Sequence, residues 1–443
     1  MQVTLIKPTM GRLTEGPFVD QARMEPLGLG VLAALTPAGV DVRLVDERVD
    51  PVDPDEPTDL VAITVETFTA RRAYEIADEY RARGVPVVVG GMHATLVPDE
   101  VAGHADAVCT GDAEGVWARV VIDAHDGRLR PRYDAASVAP QGGGVVPRRD
   151  LYHRNAYLPL TLLQFGRGCR FRCEYCAVGE YFGHRHLARP VAEVVAEIRD
   201  QTRRNLFFVD DNLIADHAAA KELLRALVPL RVRWVSQASV DQVRDPELMD
   251  LLVESGCLGN VIGFESLDLD NLRQMRKGQN LRGFDRYADV VATLRDHRLQ
   301  TWAAFLLGYD HETTESTLAT CEWAIENRFT FAAFNILMPY PGTALYARLR
   351  EEGRLLYDGR WWLHPDYRFN HAAFRPVRMS ADELTEAAWA CRRRWNSAGS
   401  IVYRLLDPKT NLASPFRAAL YLLYNPLYRR EAFKRQGLLL GLR

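Results

Sequence analysis

The chain has 443 residues, 47% of them hydrophobic and 26% charged, with a formal net charge of −3. This composition excludes a largely disordered chain, a collagen-like repeat and a coiled coil, and the length predicts two or three domains. The near-neutral balance gives no overall attraction for nucleic acid, and no apolar run is long enough to predict a membrane-spanning helix.

Residues 1–125 alternate strand and helix signals. Apolar or β-branched runs at 3–7, 41–45, 60–65, 85–89 and 107–110 read as buried strands, the first of them at the position a signal peptide would take. Helical spacing appears at 26–35 and at 71–83, where Ala73, Ile76, Ala77 and Tyr80 share a face. The pattern predicts a doubly wound, Rossmann-like parallel sheet. Such sheets bind ligands beyond the carboxyl ends of their strands, here the loops 8–11, 66–69, 90–95 and 111–114. His93 and His104 read as surface or loop histidines. Residues 126–150 are rich in Pro, Gly and Arg, include Gln141-Gly142-Gly143-Gly144, and read as a linker.

Within 151–350 the alternation resumes, with strand signals at 160–165, 206–209, 232–236, 261–264, 301–307 and 331–337. Helix signals fall between them, as at 191–201, 246–254 and 284–297. About six strand–helix units predict a partial (β/α)6 barrel with its site at the carboxyl ends of the strands. Those ends carry Asp210, Asp211 and Asn212, then Ser236 and Gln237, then Glu265, then Gly308, Tyr309, Asp310 and Glu312. One polar residue at a strand end is commonly a helix cap, but successive ones on one face point to a site. In 351–443, the aromatic stretch 361–367 reads as a pocket mouth or as a wrap around the barrel. Helix signals follow at 381–394 and 414–424. The basic, amphipathic 428–435 reads as a closing helix, with contact to an anionic membrane or partner as the alternative.

The seven cysteines are odd in number and too few for a disulfide scaffold, which fits a reducing cytoplasm. Cys109, Cys257, Cys321 and Cys391 are solitary and read as small buried hydrophobes. Cys169, Cys173 and Cys176 lie within eight residues, so one loop can wrap all three thiols around one centre. A zinc site needs a fourth ligand, which His184 or His186 would have to supply. A cubane cluster held by three cysteines leaves one iron open. Arg167, Arg170 and Arg172 are expected to offset the thiolate charge.

Cys-x3-Cys-x2-Cys with Tyr175 before the last cysteine resembles the cluster loop of the radical SAM superfamily. The resemblance implies a 4Fe–4S cluster on Cys169, Cys173 and Cys176, whose open iron binds S-adenosylmethionine. One electron from an external donor of flavodoxin or ferredoxin type, or a partner reductase, then yields a 5′-deoxyadenosyl radical. It implies that Tyr175 lies over the adenine side, and that Asp210 or Asp211 stands at the methionine ammonium. Ser236, Gln237 and Glu265 would lie near the cofactor, with Gly308 and Tyr309 beside adenine. Glu265, Asp210 and Asp211 are the candidate catalytic residues. Pro26-Leu27-Gly28-Leu29, Gly90-Gly91-Met92-His93-Ala94-Thr95 and Gly111-Asp112-Ala113-Glu114 resemble the cobalamin-binding domain found before many radical SAM cores. The last element departs from the usual Gly-Glu-Gly-Glu, and no Asp-x-His-x-x-Gly occurs, so no histidine is expected to ligate cobalt. Cobalamin is therefore left open, against a domain that kept the fold and binds nothing.

Asp210, Asp211, Glu265, Asp310 and Glu312 together suggest an acidic pocket suited to a cationic amino sugar. The chain beyond the barrel is short. These two features favour dehydration of a small polyhydroxylated substrate, in the manner of the radical diol dehydratase of aminoglycoside biosynthesis, a lyase of antibiotic pathways. The runner-up is a cobalamin-dependent C-methyltransferase, favoured by the front domain. A non-catalytic cofactor-binding protein is the third reading.

Overall fold

The computed structural model describes residues 1–11, 23–135, 145–153, 156–282 and 287–442. The first sheet contains β1 (Gln2–Lys7), β2 (Asp41–Asp46), β3 (Leu60–Thr64), β4 (Val87–Gly90), β5 (Ala107–Thr110) and β6 (Arg132–Asp134). Its order is β2-β1-β3-β4-β5-β6, every pair parallel. Side chains on a strand alternate between faces, and β3 shows the result. Leu60 and Ala62 join the core under the helices Leu27–Leu35 and Trp117–His125, whereas Val61 and Ile63 join a second core with the helix Ala70–Ala82. Trp361, Trp362 and Tyr367 complete that second core, each 2% exposed or less. The aromatic stretch is thus a wrap on the first sheet and not a pocket mouth. The strand order reverses at β1, so the loops after β1 and β3 flank a crevice of the kind that takes ligands.

The sixth strand, β6, lies inside the stretch expected to be linker. It has three residues, Tyr133 buried in the core between the exposed, charged Arg132 and Asp134, too short a run for a strand signal. It is held at the sheet edge by parallel pairing with β5 and by the Thr110 hydroxyl, which donates to Asp134 at 2.7 Å. Residues 141–144 and 284–286 lie outside the described residues.

The second sheet joins β7 (Thr161–Leu163) to β10 (Asn205–Phe208), β11 (Arg233–Ala238), β12 (Cys257–Glu265), β13 (Trp302–Leu307) and β14 (Phe331–Ile336), adjacent in that order and all parallel. A short antiparallel pair, β8 (Gly166–Arg167) and β9 (Leu187–Ala188), lies between β7 and β10 in the chain. Together these form the expected partial barrel. Its outer face packs Phe208, Trp234, Ile262, Phe264, Phe305 and Phe334 against the helices. The alternate positions Phe207, Val209, Val235, Val261, Ala304, Leu306 and Ala333 are only half-buried, and Asn335 is exposed. By the two-residue period these line the lumen.

The floor of the barrel is closed by the helix Pro415–Arg435, longer than its sequence signal. Tyr428 packs edge-on against Trp302 and Phe331 at the starts of β13 and β14, with ring centroids 4.7 and 5.1 Å away. Arg417 donates to the Leu258 carbonyl at 2.7 Å under β12. No helix among the described residues is long and apolar enough to cross a membrane.

Candidate active site

The three clustered cysteines follow β8, on a loop that ends at the helix Ala177–Phe182. Gly168 opens the loop at φ +76°, and a Cβ there would meet the Arg185 carbonyl oxygen at 2.2 Å, so only glycine fits. Cys173 is buried, and Cys169 and Cys176 are half-buried. Burial raises the pKa of the Cys169 thiol. Burial also pushes Cys176 up to about 11, and in both the neighbouring Cys173 adds to the rise. Adjoining thiols whose ionisation burial opposes, as it does at Cys169 and Cys176, are satisfied when a cationic centre replaces their protons. The set therefore fits a cluster with one open iron. The other four cysteines are buried elsewhere: the Cys257 thiol faces the Gly259 carbonyl, and those of Cys321 and Cys391 face the carbonyls of Cys391 and Thr317. The zinc alternative finds no support at His184, whose Nδ1 lies 3.2 Å from the Phe171 carbonyl.

The arginines do not offset the thiolates as expected. Arg167 turns to the first domain, Arg170 donates to the Ala215 carbonyl, and Arg172 is exposed. The cation beside the thiols is Lys277. Its Nζ lies 2.5 Å from Glu265 Oε1 and donates to the Tyr175 hydroxyl at 3.0 Å, while that hydroxyl donates to Glu265 at 3.0 Å. Burial opposes the charge on Lys277, but Glu265 and the thiols of Cys173 and Cys176 outweigh it and hold its pKa above the usual lysine range. Glu265 reaches this position from a backbone in the left-handed region, φ +66°, just after the register shift between β12 and β13. Strained backbone of this sort persists where the surroundings over-determine it.

The remaining strand-end carboxylates face the protein's own groups. Asp210 is fully buried and accepts from the amides of Phe165, at 3.0 Å, and Gly166. Burial pushes its carboxyl up to about 7 against the pull of those amides. Asp211 accepts from the Gly168 amide at 2.8 Å. The pair thus braces the strand and turn that lead into Cys169. Asp310 is bound by Arg348 at 2.9 Å, Arg354 at 2.8 Å and Gln274. Arg348 also grips Glu174 of the cysteine loop at 2.9 Å. Glu312 accepts from the Gly308 amide at 2.7 Å, and burial pushes it up to about 7. Gln237 faces the lumen, its amide 3.3 Å from the Asp210 carbonyl. Ser236 points the other way, fully buried and accepting from Asn260 at 2.9 Å, so it is not brought to the lumen. Gly308, at φ +104°, has no room for a Cβ, which would meet Leu384 at 2.5 Å, and Tyr309 beside it is buried 6.5 Å from the Tyr175 ring.

The loops at the carboxyl ends of the first sheet meet this face. Arg167 lies 2.5 Å from Glu114 and 3.6 Å from Asp112, whose other oxygen accepts from Tyr181 at 3.2 Å. Gly342, after β14, packs on Leu96, after β4. Tyr340 feels burial first, then Glu66 from one side and Cys176 from the other, all raising its pKa. Glu66 stays 65% exposed at the end of β3, paired with Lys7 at 3.2 Å, which marks open space beside the crevice. His93 is not a loop histidine. It is fully buried, with one ring nitrogen 3.2 Å from Glu100 and the other 3.2 Å from Thr67. Glu100 also accepts from Tyr74 and Trp362, both at 2.9 Å. Lys277, Arg348 and the Arg167 bridge were absent from the sequence reading. Lys277 precedes a short helix, Arg348 lies on the helix Ala344–Glu351 and Arg167 ends β8, and only the fold reveals their partners.

The sequence profile of the Radical SAM superfamily matches residues 163–324, and that of the B12 binding domain residues 20–121. The first match implies a 4Fe–4S cluster and S-adenosylmethionine, and the second supports cobalamin. The chain is 30% identical over 398 residues to the bacteriochlorophyllide d C-12(1)-methyltransferase of Chlorobaculum tepidum, covering 87% of this chain and 86% of that protein. It is 29% identical to the C-8(2)-methyltransferase of the same organism, covering 76% of this chain and 80% of that one. Its fold is similar to the radical S-adenosylmethionine methyltransferase TsrM of Kitasatospora setae, solved with cobalamin and a [4Fe-4S] cluster, with a TM-score of 0.64 at 21% identity over 79% of this chain and 75% of that one. These methyltransferases overturn the expectation of a diol dehydratase of antibiotic biosynthesis. The physical reason lies in the pairing just described. Each of Asp210, Asp211, Glu265, Asp310 and Glu312 is engaged by an amide or a cation of the chain, so these five do not make an acidic pocket for an amino sugar.

Proposed function

The chain belongs to the radical SAM superfamily, with a B12 binding domain ahead of its radical SAM domain, and on that premise we propose that it is a cobalamin-dependent C-methyltransferase acting on an apolar acceptor. The observation that carries this reading is the contrast between paired strand-end carboxylates and a lumen lined by Phe207, Val209, Val235, Val261, Ala304, Leu306 and Ala333. Apolar surface of this kind favours an apolar guest, and burial of each added methylene is worth about 0.8 kcal/mol. Asn335, exposed among these residues, supplies one neutral polar contact to orient it.

When bound, the cluster supplies the electron that cleaves S-adenosylmethionine, and the corrinoid supplies the methyl group. Cys169, Cys173 and Cys176 hold the cluster. Asp210 and Asp211 are positioning residues that fix the amides leading into Cys169. Lys277 keeps Glu265 and Tyr175 in place and lends positive charge beside the thiols. Gln237, Glu265, Tyr175, Gly308 and Tyr309 are the residues assigned to S-adenosylmethionine. The loops after β1, β3, β4 and β5 are assigned to the corrinoid, with the buried His93 withheld from cobalt. The electron comes from an external donor of flavodoxin or ferredoxin type, in the reducing cytoplasm that seven free cysteines fit.

The reading is tested by supplying reconstituted enzyme, S-adenosylmethionine with a deuterated methyl group, and cell extract split into organic-soluble and water-soluble fractions. Label on carbon in the organic-soluble fraction is the expected result. Label confined to the water-soluble fraction would contradict an apolar acceptor.

A further inference from the structure

The helix that closes the barrel floor has a second face. Its inner side packs Tyr428 against the barrel, while Tyr421 donates to the Ile401 carbonyl at 2.8 Å and Asn425 to the Thr330 carbonyl at 3.4 Å. Its outer side presents Leu422 at 55% and Leu423 at 64% exposure, with Pro426, Arg429, Arg430 and Phe433 following on the same side. The preceding helix Ala398–Leu405 is clasped to it by Arg404, which stacks 3.6 Å over Trp395 and donates to Asn425. That helix and the turn after it expose Val402, Tyr403, Leu406 and Leu412. Seven of the fourteen exposed large hydrophobic residues among the described residues therefore fall between positions 402 and 433. Single exposed apolar side chains are ordinary, but such concentration marks a surface that meets something.

The charge of this hairpin selects the partner. Residues 398–435 contain seven Lys and Arg against two Asp and Glu, in a chain of net charge −3. Both acids point inward, as do two of the cations, the fully buried Arg404 and Arg417 on the Leu258 carbonyl, which leaves five cations and no acid for the outside. Asp407 is fully buried on Arg295 at 3.0 Å, and Glu431 is buried and paired with Arg435 at 3.0 Å. The outer face therefore combines leucines with arginines and carries no exposed carboxylate of its own. A surface that sets exposed leucines beside cations without acids matches a bilayer boundary, where leucine enters the acyl region and arginine meets lipid phosphate. A second copy of this chain would instead set arginine against arginine around a two-fold axis.

We propose that this helical hairpin docks the protein on an anionic lipid bilayer, with the barrel floor toward the membrane. Docking buries Leu422, Leu423, Val402 and Leu406 in the boundary, and Arg429 meets the headgroups. The test is co-sedimentation of the full chain with vesicles of equal parts phosphatidylglycerol and phosphatidylcholine, and with vesicles of phosphatidylcholine alone. Binding is expected on the anionic vesicles and is weakened by salt. The double variant Leu422→Glu, Leu423→Glu should bind roughly tenfold more weakly or worse, and Arg429→Gln should weaken the preference for the anionic lipid. Leu318→Glu, equally a surface leucine at 40% exposure but outside the hairpin, should bind as the parent does. Circular dichroism confirms that each variant is folded. Absence of parent binding, or a double variant that binds as well as the parent, would overturn the proposal. So would a dimer in sedimentation velocity that the double variant dissolves without any vesicle binding. No turnover is measured, so the outcome is independent of the reaction proposed above.

Discussion

The two parallel sheets bring their carboxyl ends to one meeting place, yet the barrel mouth and the crevice beside β3 differ in how their carboxylates are held. At the barrel end, Asp210, Glu265 and Glu312 are buried, and each carboxylate is fixed by a backbone amide or a cation. At the end of the first sheet, Glu66 is largely exposed and Gly90, Gly91 and Gly111 form the turns. Buried charge that is fully paired is costly to disturb, whereas an exposed pair contributes little. The barrel face is thus a preformed cage for a compact cofactor. Facing it, the loop after β3 leaves Glu66 in open space, while the fixed charges of that end lie to its sides, on Arg72 with Glu47 and on Arg167 with Glu114.

The comparison predicts a ranking of mutational effects. Replacing Cys169, Cys173 and Cys176 with Ala should remove the cluster outright, with a loss of about four irons per chain, while Cys257→Ala should keep it. Iron analysis and electron paramagnetic resonance read both, and cluster retention in the triple variant would break the assignment. Lys277→Met should come next. It leaves Glu265 buried without its cation, at a cost of about 3–5 kcal/mol in urea unfolding of the apoprotein. Adding Glu265→Gln should recover part of that loss. A cost under about 1 kcal/mol would mean that the cage is not electrostatically fixed.

Asp211→Ala should cost about 1.5–3 kcal/mol, the worth of a charged acceptor on a backbone amide, and should lower iron incorporation. Asp211→Asn keeps an acceptor oxygen and should restore incorporation. Glu312 gives a pH signature. Its folded pKa of about 7 lies above its ordinary 4.5, so the native state holds the proton more tightly than the unfolded chain. Its stabilisation is complete below about pH 4.5 and is lost as pH rises through 7, at about 1.4 kcal/mol per unit of pKa difference. Glu312→Gln should flatten the decline in apoprotein stability between pH 5 and 8, with the part due to Asp210 remaining. An unchanged slope would contradict this. On the opposite face, Glu66→Gln should change stability by less than about 1 kcal/mol. A larger effect would erase the distinction between the two ends.

Much of this was legible in the sequence because periodicity and spacing are local. The β-branched runs mark five strands of the first sheet, and the spacing of Cys169, Cys173 and Cys176 marks the cluster loop. The edge strand β6 was hidden because it is only three residues long, with a single buried side chain, Tyr133, between two charged ones. The placement of Asp210 and Glu312 at strand ends was readable, but their partners were not. A carboxylate facing a ligand and one facing its own backbone amide look alike in sequence, and that ambiguity produced the acidic pocket that the structure lacks. Lys277 reaches Glu265 across a turn, and Arg167 reaches Glu114 across two domains, contacts that only tertiary folding creates.

The central claim is methyl transfer supported by a corrinoid. The most direct measurement quantifies S-adenosylhomocysteine and 5′-deoxyadenosine in anaerobic turnover mixtures, with and without added cobalamin. The account predicts S-adenosylhomocysteine that depends on cobalamin and accumulates in step with 5′-deoxyadenosine. Formation of 5′-deoxyadenosine and product with no S-adenosylhomocysteine, whether or not cobalamin is present, would contradict it.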